Sequence, residues 1–98
     1  MKNQTPNPHI QSAQHWLDLE IAIEIIAEMK GIRMSKILRE MNKPSPDINK
    51  IATWRLELQD LGIERNLLLY DSTQTETVIQ KSKTQYSEEI KTYYAAPR

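Results

Sequence analysis

Glu20, Glu24 and Glu28 stand four residues apart, and so do Leu17, Ile21 and Ile25. On a helix each set forms one line. Three carboxylates in a row are the only arrangement here that resembles a cation site, but one helix face supplies no second ligand set, and the stripe reads as a solvated face. His9 and His15 lie six apart near the start of the chain and have no partner group at catalytic spacing. Glycine occurs only at positions 31 and 62, so no glycine-rich phosphate loop exists, and no nucleophile, base and orienting group can be assembled. The residues point away from an enzyme, a metal site and a cofactor.

A second set has chemistry of another kind. Lys36, Arg39, Lys43 and Ser45 gather around "NKPSPD", and Asn49, Lys50 and Thr53 follow at once. Cations hold phosphates, while asparagine and threonine near a helix start can meet base edges. The formal net charge of the 98 residues is zero, but the charge is unevenly spread. Residues 12–29 carry −4, residues 30–55 carry +5, and residues 56–72 carry −3. Local sign says more about partners than the total does.

The elements that must hold these residues are helical. Residues 1–11 are polar, contain two prolines and predict a flexible arm. Ser12 predicts the cap of a helix to about Lys30, with Gly31 as its left-handed stop. Trp16, Leu19, Ala22, Ile23, Ile26 and Met29 form its main apolar face, and Leu17, Ile21 and Ile25 a second one that needs its own cover. A short helix follows from about Ser35 to Asn42, with Met34, Ile37, Leu38 and Met41 inward. Pro44 ends it. Ser45 as cap and Pro46 as first residue predict a third helix to Leu61, stopped at Gly62, with Ile51, Trp54, Leu58 and Leu61 inward. Residues 63–71 read as a short fourth helix or a strand, with helix favoured. Val78, Ile79, Ser82, Tyr86, Ile90 and Tyr93 predict an amphipathic C-terminal helix.

The expected fold is a small all-α bundle with a helix-turn-helix-like core over residues 12–72. Residues 73–98 form a C-terminal segment that covers the second stripe of the first helix, within the chain or as an oligomerisation element. In a helix-turn-helix the second helix enters the major groove. That assigns double-stranded DNA to Lys36, Arg39, Lys43, Ser45, Asn49, Lys50 and Thr53. The competing expectation is a protein-interaction module, an adaptor or inhibitor, using Leu17, Ile21 and Ile25 with Tyr86, Ile90 and Tyr93. No stretch reaches the roughly 18 apolar residues of a membrane span. The absence of cysteine suits a reducing, cytoplasmic setting.

Residues 21–54, "IAIEIIAEMKGIRMSKILREMNKPSPDINKIATW", resemble the DNA-binding region of phage terminase small subunits. Gly31, Ser35, Ile37, Leu38, Pro44 or Pro46, and Trp54 follow in that family's order. The resemblance implies a ring oligomer that recognises phage DNA for a large ATPase partner. Beyond Trp54 the chain departs from the pattern, since "LGIERNLLLYDSTQTE" stands where that family has a helix rich in alanine, arginine and glutamate.

Overall fold

The computed structural model describes the backbone of residues 8–70 and 72–97, and the side chains of 13–70 and 72–97. Residues 1–7 of the expected arm lie outside the described residues. Helix α1 spans Pro8–Met41 and α2 spans Ile48–Leu69. Helix α3 (Thr75–Lys81) runs through a π-helical turn at Ser82–Tyr86 into α4 (Ser87–Ala95). No strand occurs among the described residues. The chain is a small all-α bundle.

The boundaries differ from the sequence reading at four places, the fourth being the start of α2 at the corner. Helix α1 starts at Pro8, where proline's fixed φ and missing N–H suit a first helical residue, rather than at Ser12. It then continues through Gly31, and α2 continues through Gly62 to take in residues 63–69. Neither glycine has a positive φ, and nothing lies within 4 Å of the place a Cβ would occupy. Glycine inside a helix costs about 1 kcal/mol relative to alanine. Packing on both sides of Gly31 outweighs that cost, because Met29 and Ile32 are fully buried and Ile37 nearly so.

Continuity fixes the phase of everything after Gly31. The buried positions of α1 are Leu19, Ala22, Ile26, Met29, Arg33, Ile37 and Glu40, at steps of three and four, with Ile32 beside them. Met34, Leu38 and Met41 fall off this line and are 48%, 55% and 50% exposed. Of the four expected to face inward there, Ile37 alone does. Trp16 is likewise outside at 61%, and Ile23 is half-buried. In α2, Leu61 is buried, while Ile51, Trp54 and Leu58 are half-buried.

Residues 42–47 turn the chain back. The Asn42 N–H donates to Leu38 O, and the Lys43 N–H to Glu40 O, which closes α1. Asp47, not Ser45, caps α2: its Oδ1 accepts from the Asn49 and Lys50 N–H groups at 3.0 and 3.2 Å. Pro46 therefore lies in the turn, ahead of the first helical residue. The expected short helix before the corner is the end of α1, and the corner joins α1 and α2 as the tip of a long antiparallel hairpin. Arg33 meets Glu57 and Lys36 meets Trp54, so positions on α2 fall as those on α1 rise.

The third helical run completes the bundle. It lies antiparallel to α2, with Thr75 Oγ1 donating to Leu67 O at 2.6 Å and Lys81 paired with Glu64. It lies parallel to α1, with Lys83 paired with Asp18 and Tyr94 bonded to Glu28. Val78, Ile79 and Tyr86 enter one core with Ile26, Met29, Leu61 and Leu68, and Ile25 and Ile90 pack against it. The C-terminal helix thus covers part of the second stripe of α1 within the chain. Ile25 is half-buried, while Leu17 and Ile21 remain 52% and 42% exposed.

Candidate functional site

The hairpin tip carries the residues that sequence assigned to DNA. Between Lys36 and Arg55 five cations stand against two carboxylates, a local charge of +3. Both carboxylates are engaged by the corner itself. Glu40 is buried, and accepts from the Asp47 N–H and from Lys43 Nζ, both at 2.9 Å. The Asp47 N–H, and after it Lys43, holds the Glu40 carboxyl below the usual carboxylate range. Asp47 is occupied by the cap.

The assigned side chains do not form one ridge. Ser45, Asn49, Lys50 and Thr53 are exposed at the corner and the first turns of α2. Lys43 is exposed but tied to Glu40. Lys36 lies over the Trp54 ring, 6.0 Å from its centroid, on the α1–α2 seam. Arg39 is exposed on the side towards α4, lining a groove of about 250 Å³ with Glu28, Tyr93 and Tyr94. The cations are therefore spread around the tip.

The second assigned set divides as well. Leu17 and Ile21 are open to solvent, whereas Ile25 and Ile90 pack against the core. Tyr86 is 6% exposed and bonds Glu64 through its hydroxyl. Burial first, and then that bond, push the Tyr86 hydroxyl up to about 12. Tyr93 is half-buried beside Tyr94, their rings 5.1 Å apart and edge to face.

A third feature joins all three helical runs. Arg33 is buried and bridges Glu57 of α2, at 2.5 Å, and Glu89 of α4. Burial lowers the affinity of this guanidinium for its proton, but the bonds to Glu89 and Glu57 outweigh it and the net shift is upward. With Asp60, Lys81 and Tyr86 these groups line a polar cavity of about 200 Å³. The bonding partners saturate one another, which makes this a structural bridge. The Glu20, Glu24 and Glu28 stripe is exposed along α1, and no group of three or more metal-ligating side chains converges among the described residues. No described helix is long and apolar enough to cross a membrane.

The largest feature that sequence reasoning missed is the back of the hairpin. Trp16, Glu20, Ile23, Ala27, Lys30, Met34, Leu38 and Met41 recur at steps of four and three over the length of α1. This line runs beside the buried one, about 100° around the helix, and Ile23 packs against the core and Lys30 is half-buried, so its exposed members are Trp16, Glu20, Ala27, Met34, Leu38 and Met41. Arg33–Glu57 and Lys36–Trp54 set the register of the hairpin, which brings Ile48 and Arg55 of α2 level with the distal part of α1. Ile48 is 76% exposed. The spacing was legible once α1 is run through Gly31 without a break. No family model, curated protein or solved structure matches the chain.

Proposed function

We propose that the chain is a non-enzymatic docking protein whose working surface is the back of the α1–α2 hairpin. One observation carries this reading: Met34, Leu38, Met41 and Ile48 stand exposed together, in line with Trp16 at the far end of α1. Isolated apolar side chains on a surface are ordinary, but Met34, Leu38 and Met41 follow one another along one face of α1, and that marks a binding face. Covering a Leu or Met fully is worth about 1.5–3 kcal/mol each, enough for a few of them to hold a partner helix. Leu17 and Ile21 extend the apolar surface around the proximal end of α1. The lack of cysteine suits work in the reducing cytoplasm.

Photo-crosslinking tests this directly. A benzophenone side chain at Met34 or Leu38, in the cells that make the protein, is expected to give a discrete adduct. The same group at Gln80, exposed on α3, is expected to give none. Silence at Met34 and Leu38, or equal labelling at Gln80, contradicts the docking face.

The tip's local charge of +3 favours a second reading, binding of double-stranded DNA. Its setting would be a phage or mobile-element regulator, or a packaging-type recognition subunit acting as a homo-oligomer. The cations are spread around the tip, so they would grip the phosphate backbone, with Asn49 and Thr53 nearest the bases. Lys43→Glu with Lys50→Glu is expected to weaken binding to a mixed-sequence duplex and to flatten its salt dependence by roughly 0.9 per lost phosphate contact. Unchanged affinity in the double variant removes this reading.

A further inference from the structure

We infer that Ser45 is a phosphorylation site, modified by a kinase whose cleft admits proline directly after the acceptor serine. A kinase must take the acceptor hydroxyl and the backbone around it into its cleft, in line with the phosphate to be moved. A hydroxyl inside a helix is out of reach until the helix unwinds. Outside the helices, the described hydroxyls are those of Ser45, Ser72 and Thr73. Ser72 is half-buried, and its Oγ accepts the Gln74 N–H at 3.1 Å. Thr73 lies inside a turn closed by the Thr75 N–H donating to Ser72 O at 3.2 Å. Ser45 is exposed, and neither its side chain nor its backbone makes a hydrogen bond among the described residues.

Two prolines prepare the site. Pro44 and Pro46 have no N–H, and each biases the residue before it towards extended backbone. A segment stiffened in this way has less freedom to lose on entering a cleft. Pro46 also supplies selectivity. A cleft without an acceptor opposite the residue after the serine strands any ordinary N–H there, and proline alone escapes that cost. Pro46 lies in the turn ahead of α2, whose cap is Asp47, so the segment enters the cleft without opening the helix.

In the reaction Ser45 Oγ attacks the γ-phosphorus of a nucleoside triphosphate held by the kinase. The new O–P bond forms as the bond to the bridging oxygen breaks. The diphosphate leaves with that electron pair, and the serine proton passes to a carboxylate of the kinase. The product adds about two negative charges to the tip. Its surroundings suit an anion. Lys43 and Lys50 flank Ser45 in sequence and are exposed, and Lys50 makes no ion pair among the described residues. The positive end of the α2 dipole begins at Ile48. The fold therefore tolerates the phosphate, while the tip falls from its local charge of +3 to about +1.

The full chain, given a purified proline-directed serine/threonine kinase and ATP, is expected to gain one phosphoryl group. Intact mass reads the gain, and fragmentation places it on Ser45. Ser45→Ala is expected to gain none. Pro46→Ala is expected to slow transfer about tenfold or more at unchanged helix content. No transfer to the folded chain, transfer to Ser72 or Thr73 instead, or an equal rate in Pro46→Ala overturns the inference. So does the absence of phosphate on Ser45 in chain isolated, with phosphatases blocked, from the cells that make it. One consequence rests on the DNA reading above: the phosphorylated chain is expected to bind a mixed-sequence duplex roughly tenfold more weakly. Equal binding by both forms overturns that effect of charge. An unmodified chain that binds no duplex sinks the DNA reading instead, and the transfer assay alone then decides Ser45.

Discussion

Ile79→Ala is expected to lower the stability of the fold by about 2–5 kcal/mol, the range for an isoleucine truncated in a closed core. Ile79 is fully buried, and it lies in one cluster with Ile26, Met29, Leu61 and Leu68. A domain of this size has roughly 5–15 kcal/mol to lose, and each kcal/mol moves Tm by about 4–8 °C. Urea or thermal unfolding followed by circular dichroism reads the change. If the C-terminal helix were an appendage reserved for assembly, the α1–α2 hairpin would unfold as before and only association would suffer. A loss under about 1 kcal/mol would support that alternative. For the same reason, deleting residues 73–98 is expected to unfold the chain rather than merely to separate subunits.

Arg33→Met is expected to cost about 2–3 kcal/mol. Methionine keeps the apolar stem on the seam and removes the group that ties Glu57 and Glu89 together. Breaking a fully buried pair typically costs about 3–5 kcal/mol, because a charge is left without a partner. Here the Glu57 and Glu89 side chains are 41% and 31% exposed, so both reach water and the cost is smaller. The orphaned carboxylates are the source of the penalty. Adding Glu57→Gln and Glu89→Gln to Arg33→Met is therefore expected to return part of the lost stability in the same urea titration. A triple variant less stable than Arg33→Met alone would assign the cost to the lost bonds instead.

The positions sequence reasoning placed well are those set by a long unbroken period. Leu19, Ala22, Ile26 and Met29 are buried on α1, and Val78, Ile79, Ser82 and Tyr86 on the C-terminal run, as their spacing predicts. The corner is legible as a break, since Pro44 cannot continue a helix, but the cap is Asp47 and not the expected Ser45. Gly31 and Gly62 misled. Glycine as a helix stop is a local preference worth about 1 kcal/mol, and burial of Met29, Ile32 and Ile37 across Gly31 exceeds it. That single boundary had a large consequence. A helix restarted after Gly31 is free to choose its own buried face, and Met34, Ile37, Leu38 and Met41 then look like a core. One continuous helix has no such freedom, and three of the four turn outward.

The candidate site was legible in composition but not in placement. Lys36, Arg39, Lys43 and Lys50 lie close to the corner in sequence, but which way each points depends on the phase of α1 and on neighbours in space. Trp54 draws Lys36 onto the seam, and Glu40 holds Lys43. The Lys36–Trp54 contact is decided by the hairpin register, whereas Glu40 and Lys43 are neighbours three residues apart at the end of α1. The distal part of the back face was hidden by the same break at Gly31, because Met34, Leu38 and Met41 had been assigned to the core.

The continuity of α1, and the outward turn that it forces on Met34 and Met41, can be read from the methionine methyl groups. With methyl-labelled methionine in dilute solution, a soluble paramagnetic probe is expected to broaden Met34 and Met41 strongly and to leave Met29 sharp. Met34 and Met41 as well protected as Met29, under conditions where sedimentation shows a single chain, would contradict the docking face and the helix that presents it.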